Sequence, residues 1–402
     1  MKREWKKLGE TMLRRRQHFL FILMYALYYV ANATNSYTSK YLSGIGMSKA
    51  LIGVIMSVSP FIALLAQPFW GTVGDKAKSK YRVLRIILVG SGLSFVAYLV
   101  SSNFIYTAIV FSIYTFFTNP VIPTLDAISL SHGAAVGFKY NWARITGTTS
   151  YAIASIFLGY LLAGDIKRMF PLFLFFSVAA GIVTYFMPHD LPPETNRPEG
   201  EKVGWGLIFK NRELWLLVCL AVVIQMTSNF HSTYFPLFFT EDLGGSNAIF
   251  GWAISMSSVG ELPFLFFANK LYKKLGIRWL LVISALLTGL RWFLFSTLQT
   301  PILAVFYNML HGGGFIILSF CLATYINSEL PSQFKVRGQA FVSLATSGVA
   351  RIIANLIGGS VYQLAGDIRI LYTINSVLCI AAGLLFAIIF WRISKNKKEN
   401  LA

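Results

Sequence analysis

Twelve times along this 402-residue chain an apolar run of about twenty residues gives way to a polar connection. A helix of roughly that length covers the ~30 Å hydrocarbon core of a bilayer. In lipid, helices and closed barrels are the two structures that satisfy every backbone group from within. The runs lie at 18–42, 49–70, 83–102, 104–130, 142–163, 168–187, 213–240, 248–268, 279–297, 301–324, 341–363 and 369–391. Charged residues make up 13% of the chain and hydrophobic ones 55%, where soluble domains carry about 25% charge. The expected fold is an all-α membrane protein with twelve transmembrane helices.

A net charge of +19 would suit a nucleic-acid binder, but its distribution excludes that reading. Of the 35 Lys and Arg residues, 27 fall in 1–17, 71–85, 131–143, 188–212, 269–278, 326–340 and 391–402. The alternate loops hold Lys40, Lys49, Lys167, Arg168 and Arg369, and three arginines, Arg144, Arg291 and Arg351, fall inside spans. This is the positive-inside pattern, with both termini cytoplasmic. The expected partners are the lipid bilayer, a small-molecule solute and protons, without nucleic acid, and the chain is expected to act as a monomer. Arg14-Arg15-Arg16 reads as a juxtamembrane anchor. The first apolar run has no small-residue cleavage site after it and reads as a retained span.

Residues 188–212 read PHDLPPETNRPEGEKVGWGLIFKNR, whose prolines and mixed charges cannot cross a bilayer. They are expected to form a cytoplasmic linker between an N-terminal six-helix bundle, 1–187, and a C-terminal one, 213–402. A repeat supports the division: Leu162 to Ile166 and Leu364 to Ile368 both read LAGDI, each closing a Gly-rich span. GDKAKSK after the second span is matched more loosely by ANKLYKK after the eighth. Parallel repeats related by an axis along the membrane normal recur in transporters.

Asp126 and Glu261 are the acidic residues expected well inside spans, beside Arg144, Arg291 and Arg351. A charge at the centre of a membrane helix costs about 2.5–3.5 kcal/mol on insertion scales and tends to face a cavity. Arg144 and Tyr151 are seven residues apart, two helical turns, and so share a face. A guanidinium suits vicinal hydroxyls or a carboxylate; Asp126 and Arg144 could equally form a structural ion pair. His311 titrates in a range that suits proton coupling, though a histidine in a helix is often a core residue, and Gly312-Gly313-Gly314 allows close helix packing. Asn229 and His231, two apart, cannot share one face squarely. Cys219, Cys321 and Cys379 all lie in apolar spans and imply no disulfide framework. The Asn32-Ala33-Thr34 sequon lies within a span and is discarded. No P-loop, HExxH or Cys–His metal spacing occurs, so no cofactor, metal or direct use of ATP is expected.

Gly71-Thr-Val-Gly-Asp75-Lys76-Ala-Lys-Ser-Lys80 resembles the G-x-x-x-D-[RK]-x-x-x-[RK] gating loop of the major facilitator superfamily. Its glycines would permit a tight turn and close helix approach, and Asp75 would cap a helix or pair with a basic residue. Within that superfamily the chain resembles the lactose-permease-like branch of oligosaccharide, nucleoside and phenylpropionate proton symporters. The resemblance rests on Asp126, on Ala143-Arg144-x-x-Gly147 with Tyr151, and on Glu261, Arg291 and Leu310-His311. Tyr325-Ile326-x-Ser328 and Ser332-Gln333-Phe334-Lys335-Val336-Arg337 extend it. It implies the major facilitator fold in a bacterial plasma membrane, no enzyme activity, and proton-coupled sugar symport by alternating access around a charged cavity between the halves. By the same resemblance Asp126, Arg144, Tyr151, Glu261 and His311 would bind substrate, and Glu261, Arg291 and His311 would couple protons.

Four departures bear on that expectation. Gly314 stands where lactose permease has its proton-carrying glutamate, and Phe264 where the branch has an asparagine ligand. Asn229 and Ser232 replace acidic residues of the seventh span, which leaves Arg351 without its usual partner. Three intramembrane arginines thus outnumber two acids, a surplus that an anionic substrate would balance. The expected reading is sugar import, with an aromatic carboxylate or nucleoside as alternative solute. Export of drugs or lipids and an integral membrane enzyme stay open.

Overall fold

The computed structural model describes residues 2–187 and 211–399. The expected linker, up to residue 210, lies outside the described residues. Helices α1 (Lys2–Ala33) and α2 (Thr38–Gly44) form the first span, joined by a 3-10 turn at Thr34–Tyr37. Helices α3 (Lys49–Lys76) and α4 (Lys80–Val96) follow, then α5 (Phe104–Thr118) and α6 (Val121–Val136), which together make the fourth span. The fifth and sixth are α7 (Tyr140–Leu161) and α8 (Met169–Val183).

The seventh span is α9 (Arg212–Leu237), extended by a π-helical turn at Phe238–Asp242. Helices α10 (Asn247–Val259) and α11 (Glu261–Ser296) carry the eighth and ninth, with α11 broken at Gly276, where φ is 74°. The tenth is α12 (Pro301–Asn308) plus α13 (His311–Glu329). The eleventh is α14 (Ser332–Ser343), a π-helical turn at Leu344–Val349 and α15 (Ala350–Ala365), and the last is α16 (Ile368–Glu399).

Nine helical stretches among the described residues are long and apolar enough to cross a membrane, and one of them, Asn247–Ser296, runs to 50 residues and holds two expected spans. The first and fifth spans complete the twelve; both are more polar, the fifth carrying Arg144 and a Thr-Thr-Ser run at 148–150. Several runs expected as single helices are interrupted. Pro120 has no N–H to continue α5, and Gly260 and Met309–Leu310 interrupt the eighth and tenth spans.

The helices group into two compact units. One takes the chain to Met47 and from Phe61 through the sixth span; the other takes Ser48–Pro60 and the chain from the seventh span on. Helix α3 is thus divided, its first turns counted with the second unit. There Gly53 allows contact: a Cβ would overlap the Asn355 carbonyl. Lys49 pairs with Glu241, and the Ala50 N–H donates to Gln363 Oε1 at 3.2 Å.

The first unit is held by aromatic packing, Phe95 lying 4.7–4.8 Å by ring centroid from Tyr114, Phe170 and Phe173. The second packs α9, α11, α13 and α16 around Leu217, Leu281, Leu318 and Phe390. The two LAGDI copies have one hydrogen bond in common, although Gly366 is left-handed with φ of 72° and Gly164 is not. Asp165 accepts from the Lys167 N–H and Asp367 from the Arg369 N–H, each at 2.9 Å.

Candidate functional site

Apart from Arg351, the charged residues expected inside the spans gather into one cluster in each unit. In the first, α6 carries Asp126 and α7 carries Arg144, with Arg144 Nη1 3.7 Å from Asp126 Oδ2. That separation is an ion pair without a hydrogen bond. The bonds go to α1: the Tyr25 hydroxyl donates to Asp126 Oδ1 at 2.7 Å, and Arg144 Nη1 donates to the Tyr29 hydroxyl at 3.0 Å. Gly147, one turn beyond Arg144, makes room for this, since a Cβ would meet the Tyr29 ring at 2.8 Å. Tyr151, two turns along, shares a hydrogen bond of 2.8 Å with Ser36 Oγ. Arg144 keeps 47% of its side chain exposed and Asp126 24%. An acid, a guanidinium and three tyrosines on neighbouring helices form a surface that can donate to, accept from and stack on a hydroxylated ring.

In the second unit the two helix interruptions touch. A Cβ on Gly260 would overlap the Met309 backbone, and one on Gly312 would overlap the Gly260 backbone. Only glycine lets main chains approach so closely. Glu261 and His311 each follow an interruption, so this contact brings Glu261 Oε1 to 3.6 Å from His311 Nε2. Behind them Arg291 Nη1 donates to His311 Nδ1 at 3.1 Å and Nη2 to Asn308 Oδ1 at 2.6 Å. His231 bridges Asn308 Oδ1, 3.2 Å from Nε2, and the Tyr372 hydroxyl, 2.9 Å from Nδ1.

Arg291, expected to line a watery chamber, is only 3% exposed. It lies against Trp292 and Phe295, with ring centroids 4.6 and 5.6 Å away, and reaches Glu261 only through His311. Asn229 and His231 face different ways, as their spacing requires: Asn229 donates to the Thr346 carbonyl at 3.5 Å.

The departures have physical consequences. Gly314 cannot simply be exchanged for glutamate, because a Cβ there would overlap Thr288 Oγ1, and its carbonyl accepts from Ser284 at 2.8 Å. Phe264 approaches Gly313, its ring tip 3.2 Å from where a Cβ would sit. Arg351 makes no hydrogen bond or ion pair among the described residues.

In the expected gating loop, Gly71 and Gly74 lie inside α3 with open space around them, so neither serves a tight turn or a close approach here. Asp75 and Lys76 are exposed in the last turn of α3, and Lys80 opens α4 behind the Ser79 cap. No group of three or more metal-ligating side chains occurs among the described residues.

Sequence reasoning missed Tyr25, Tyr29 and Ser36 in the first unit and Asn308 and Tyr372 in the second. A signal for the first set exists: Tyr25, Tyr29, Asn32 and Ser36 recur at four, seven and eleven residues, one polar stripe along α1 and the 3-10 turn that follows it.

Comparison with known proteins fits this architecture. The model of the MFS_1 like family matches residues 18–374. Maltose permease of Geobacillus stearothermophilus is 25% identical over 350 residues, covering 85% of this chain and 86% of that one. A protein of Escherichia coli K12 named a probable 3-phenylpropionic acid transporter is also 25% identical, over 82% of this chain and 86% of its own length. The crystal structure of the nucleoside transporter NupG superposes with a TM-score of 0.76 at 18% identity, over 94% of this chain and 99% of that one. That structural likeness carries the fold, and the family match carries the rest. The chain belongs to the MFS_1 like family and is a multi-pass membrane transporter of the major facilitator superfamily, not an enzyme.

Proposed function

We propose that the protein imports a small hydroxylated solute, of the sugar class, together with protons, by alternating access. The observation that carries this is the Asp126–Arg144 pair, held at 3.7 Å and buttressed by Tyr25 and Tyr29. The pair is loose, and among the described residues the Tyr29 hydroxyl is the one other acceptor that reaches the guanidinium, so its remaining donors and the exposed part of Asp126 are left for hydroxyls. Tyr151 on the same face supplies a ring. Glu261 is the proton carrier on this reading. His311 shares its proton site, and Arg291 acts behind both as a positioning residue.

The chain functions as a monomer with both termini cytoplasmic. Two bundles, 1–187 and 213–402, are joined by a linker over 188–212, and Gly71, Asp75, Lys76 and Lys80 form the gating loop. The names of the relatives, a maltose permease and a probable 3-phenylpropionic acid transporter, support a small organic solute. A second reading, an aromatic carboxylate, is favoured by Phe264 beside the second cluster and by the unpaired Arg351.

The test is uptake into liposomes under an imposed acid-outside gradient, screened over sugars, nucleosides and aromatic acids. Accumulation of a sugar that Arg144→Ala abolishes, and that Glu261→Gln uncouples from the gradient, is the expected result. If both variants accumulate the solute normally, the assigned residues are wrong. If the solute leaves vesicles instead of entering, the direction is wrong.

A further inference from the structure

The cation balance in the second unit points to a narrower substrate class, on the reading above that the chain imports a polar organic solute. Among the described residues the membrane-embedded charges of this unit are Glu261, Arg291 and Arg351. Glu261 is matched by His311. Arg291 has neutral acceptors only, His311 Nδ1 and Asn308 Oδ1, and its Nε and the Asn308 amide nitrogen are buried without acceptors. Arg351 has no partner at all among the described residues. Two guanidinium groups therefore stand against one carboxylate in the charge balance.

Local geometry singles out Arg351. It lies just after the π-helical turn Leu344–Val349, a distortion that recurs at functional sites. Asn355, four residues on, and Gly358, seven on, set the face of α15 that packs on α9, and Arg351 shares that face. Two polar contacts between α9 and the eleventh span bracket it. Asn229 reaches the Thr346 carbonyl at 3.5 Å, and Thr233 donates to Asn355 Oδ1 at 2.8 Å. The Asn355 side-chain nitrogen, one turn from Arg351, is fully buried and has no acceptor. A helix seam that leaves a guanidinium and a neighbouring buried amide nitrogen without acceptors is completed by an anion.

We infer that Arg351 receives the carboxylate of the transported solute, and that the solute is an acidic sugar, a uronate or aldonate, rather than a neutral one. A guanidinium offers two parallel donors to a carboxylate, which a neutral hydroxyl cannot match. The bound anion also leaves Glu261 free to take and lose its proton without stranding two cations in the bilayer.

The experiment is ligand-induced thermal stabilisation of the purified full chain in nanodiscs, using matched acid and neutral probes. The pairs are glucuronate with glucuronamide, gluconate with sorbitol, and phenylpropionate with phenylpropanol. Wild type is expected to bind a sugar acid at least about tenfold more tightly than its neutral partner. Arg351→Gln should weaken the acid by about tenfold to a hundredfold and leave the neutral compound unchanged. Arg351→Lys should keep part of the preference, which separates lost charge from lost fold, and gel filtration checks that both variants stay monodisperse.

Equal binding of acid and neutral partners, unchanged acid binding in Arg351→Gln, or no response to any acid overturns the inference. If neutral sugars then bind and accumulate with protons, the import reading survives alone. If only phenylpropionate binds, and Arg351→Gln removes it, the role of Arg351 stands and the sugar class falls.

Discussion

Tyr29 does two things for Arg144: its hydroxyl accepts the guanidinium at 3.0 Å and its ring fills the space beside Gly147. Removing only the hydroxyl isolates the first. Tyr29→Phe should leave the fold intact and weaken solute binding about tenfold, as expected for one charge-assisted hydrogen bond, measured by titration calorimetry. Arg144→Lys should lose more, because Nη1 alone meets Tyr29 and Asp126 and an ammonium lacks the further fixed donors of the planar guanidinium that are left for solute. Glu261→Gln tests a different step: exchange of labelled for unlabelled solute should persist while accumulation against a gradient is lost. The charged members of both clusters were legible in the sequence, since each ionised group in an oily helix is costly and stands out. Their tyrosine, serine and asparagine partners were not, because aromatic and small polar residues are ordinary in membrane helices and only the fold says which ones face a charge.

At the scale of elements, the backbone contact of Gly260 with Gly312 holds the second cluster together. Adding side chains there forces apart α11 and α13. Gly260→Val and Gly312→Val should each destabilise the protein by about 1–3 kcal/mol, the usual cost of overpacking, seen as a lowered thermal midpoint. Gly314→Glu restores the acid that lactose permease carries, yet should lower the midpoint rather than repair coupling, because Thr288 Oγ1 occupies the space. The twelve spans could be read from the chain because bilayer thickness dictates length. The interruptions could not. Gly260, Met309 and Leu310 keep right-handed helical dihedrals, and what interrupts their helices is tertiary packing: the glycines at 260 and 312–314 mark a close approach without saying which neighbour they meet. The π-helical turns before Arg351 and after Leu237 were invisible for the same reason.

At the scale of the whole molecule, each unit has its own core, one built around Phe95 and its aromatic neighbours and the other around Leu281 and Leu318. Two chains cut within 188–212 and expressed together should therefore reassemble and restore uptake, whereas either alone should not; vesicle transport measures both. Single cysteines placed near Lys76 and near Lys167 should label from opposite sides of the membrane if the positive-inside assignment is right. The aspartates at 165 and 367 bear on the two-bundle reading. Each bonds the N–H two residues on, with the same length, in the same five letters. Lipid tolerates almost any oily side chain, so two copies of an ancestral six-helix gene can drift apart along their spans until little remains. A tight turn allows far fewer spellings, so on the two-bundle reading a shared origin stays visible longest at the corner where the chain has least freedom to change.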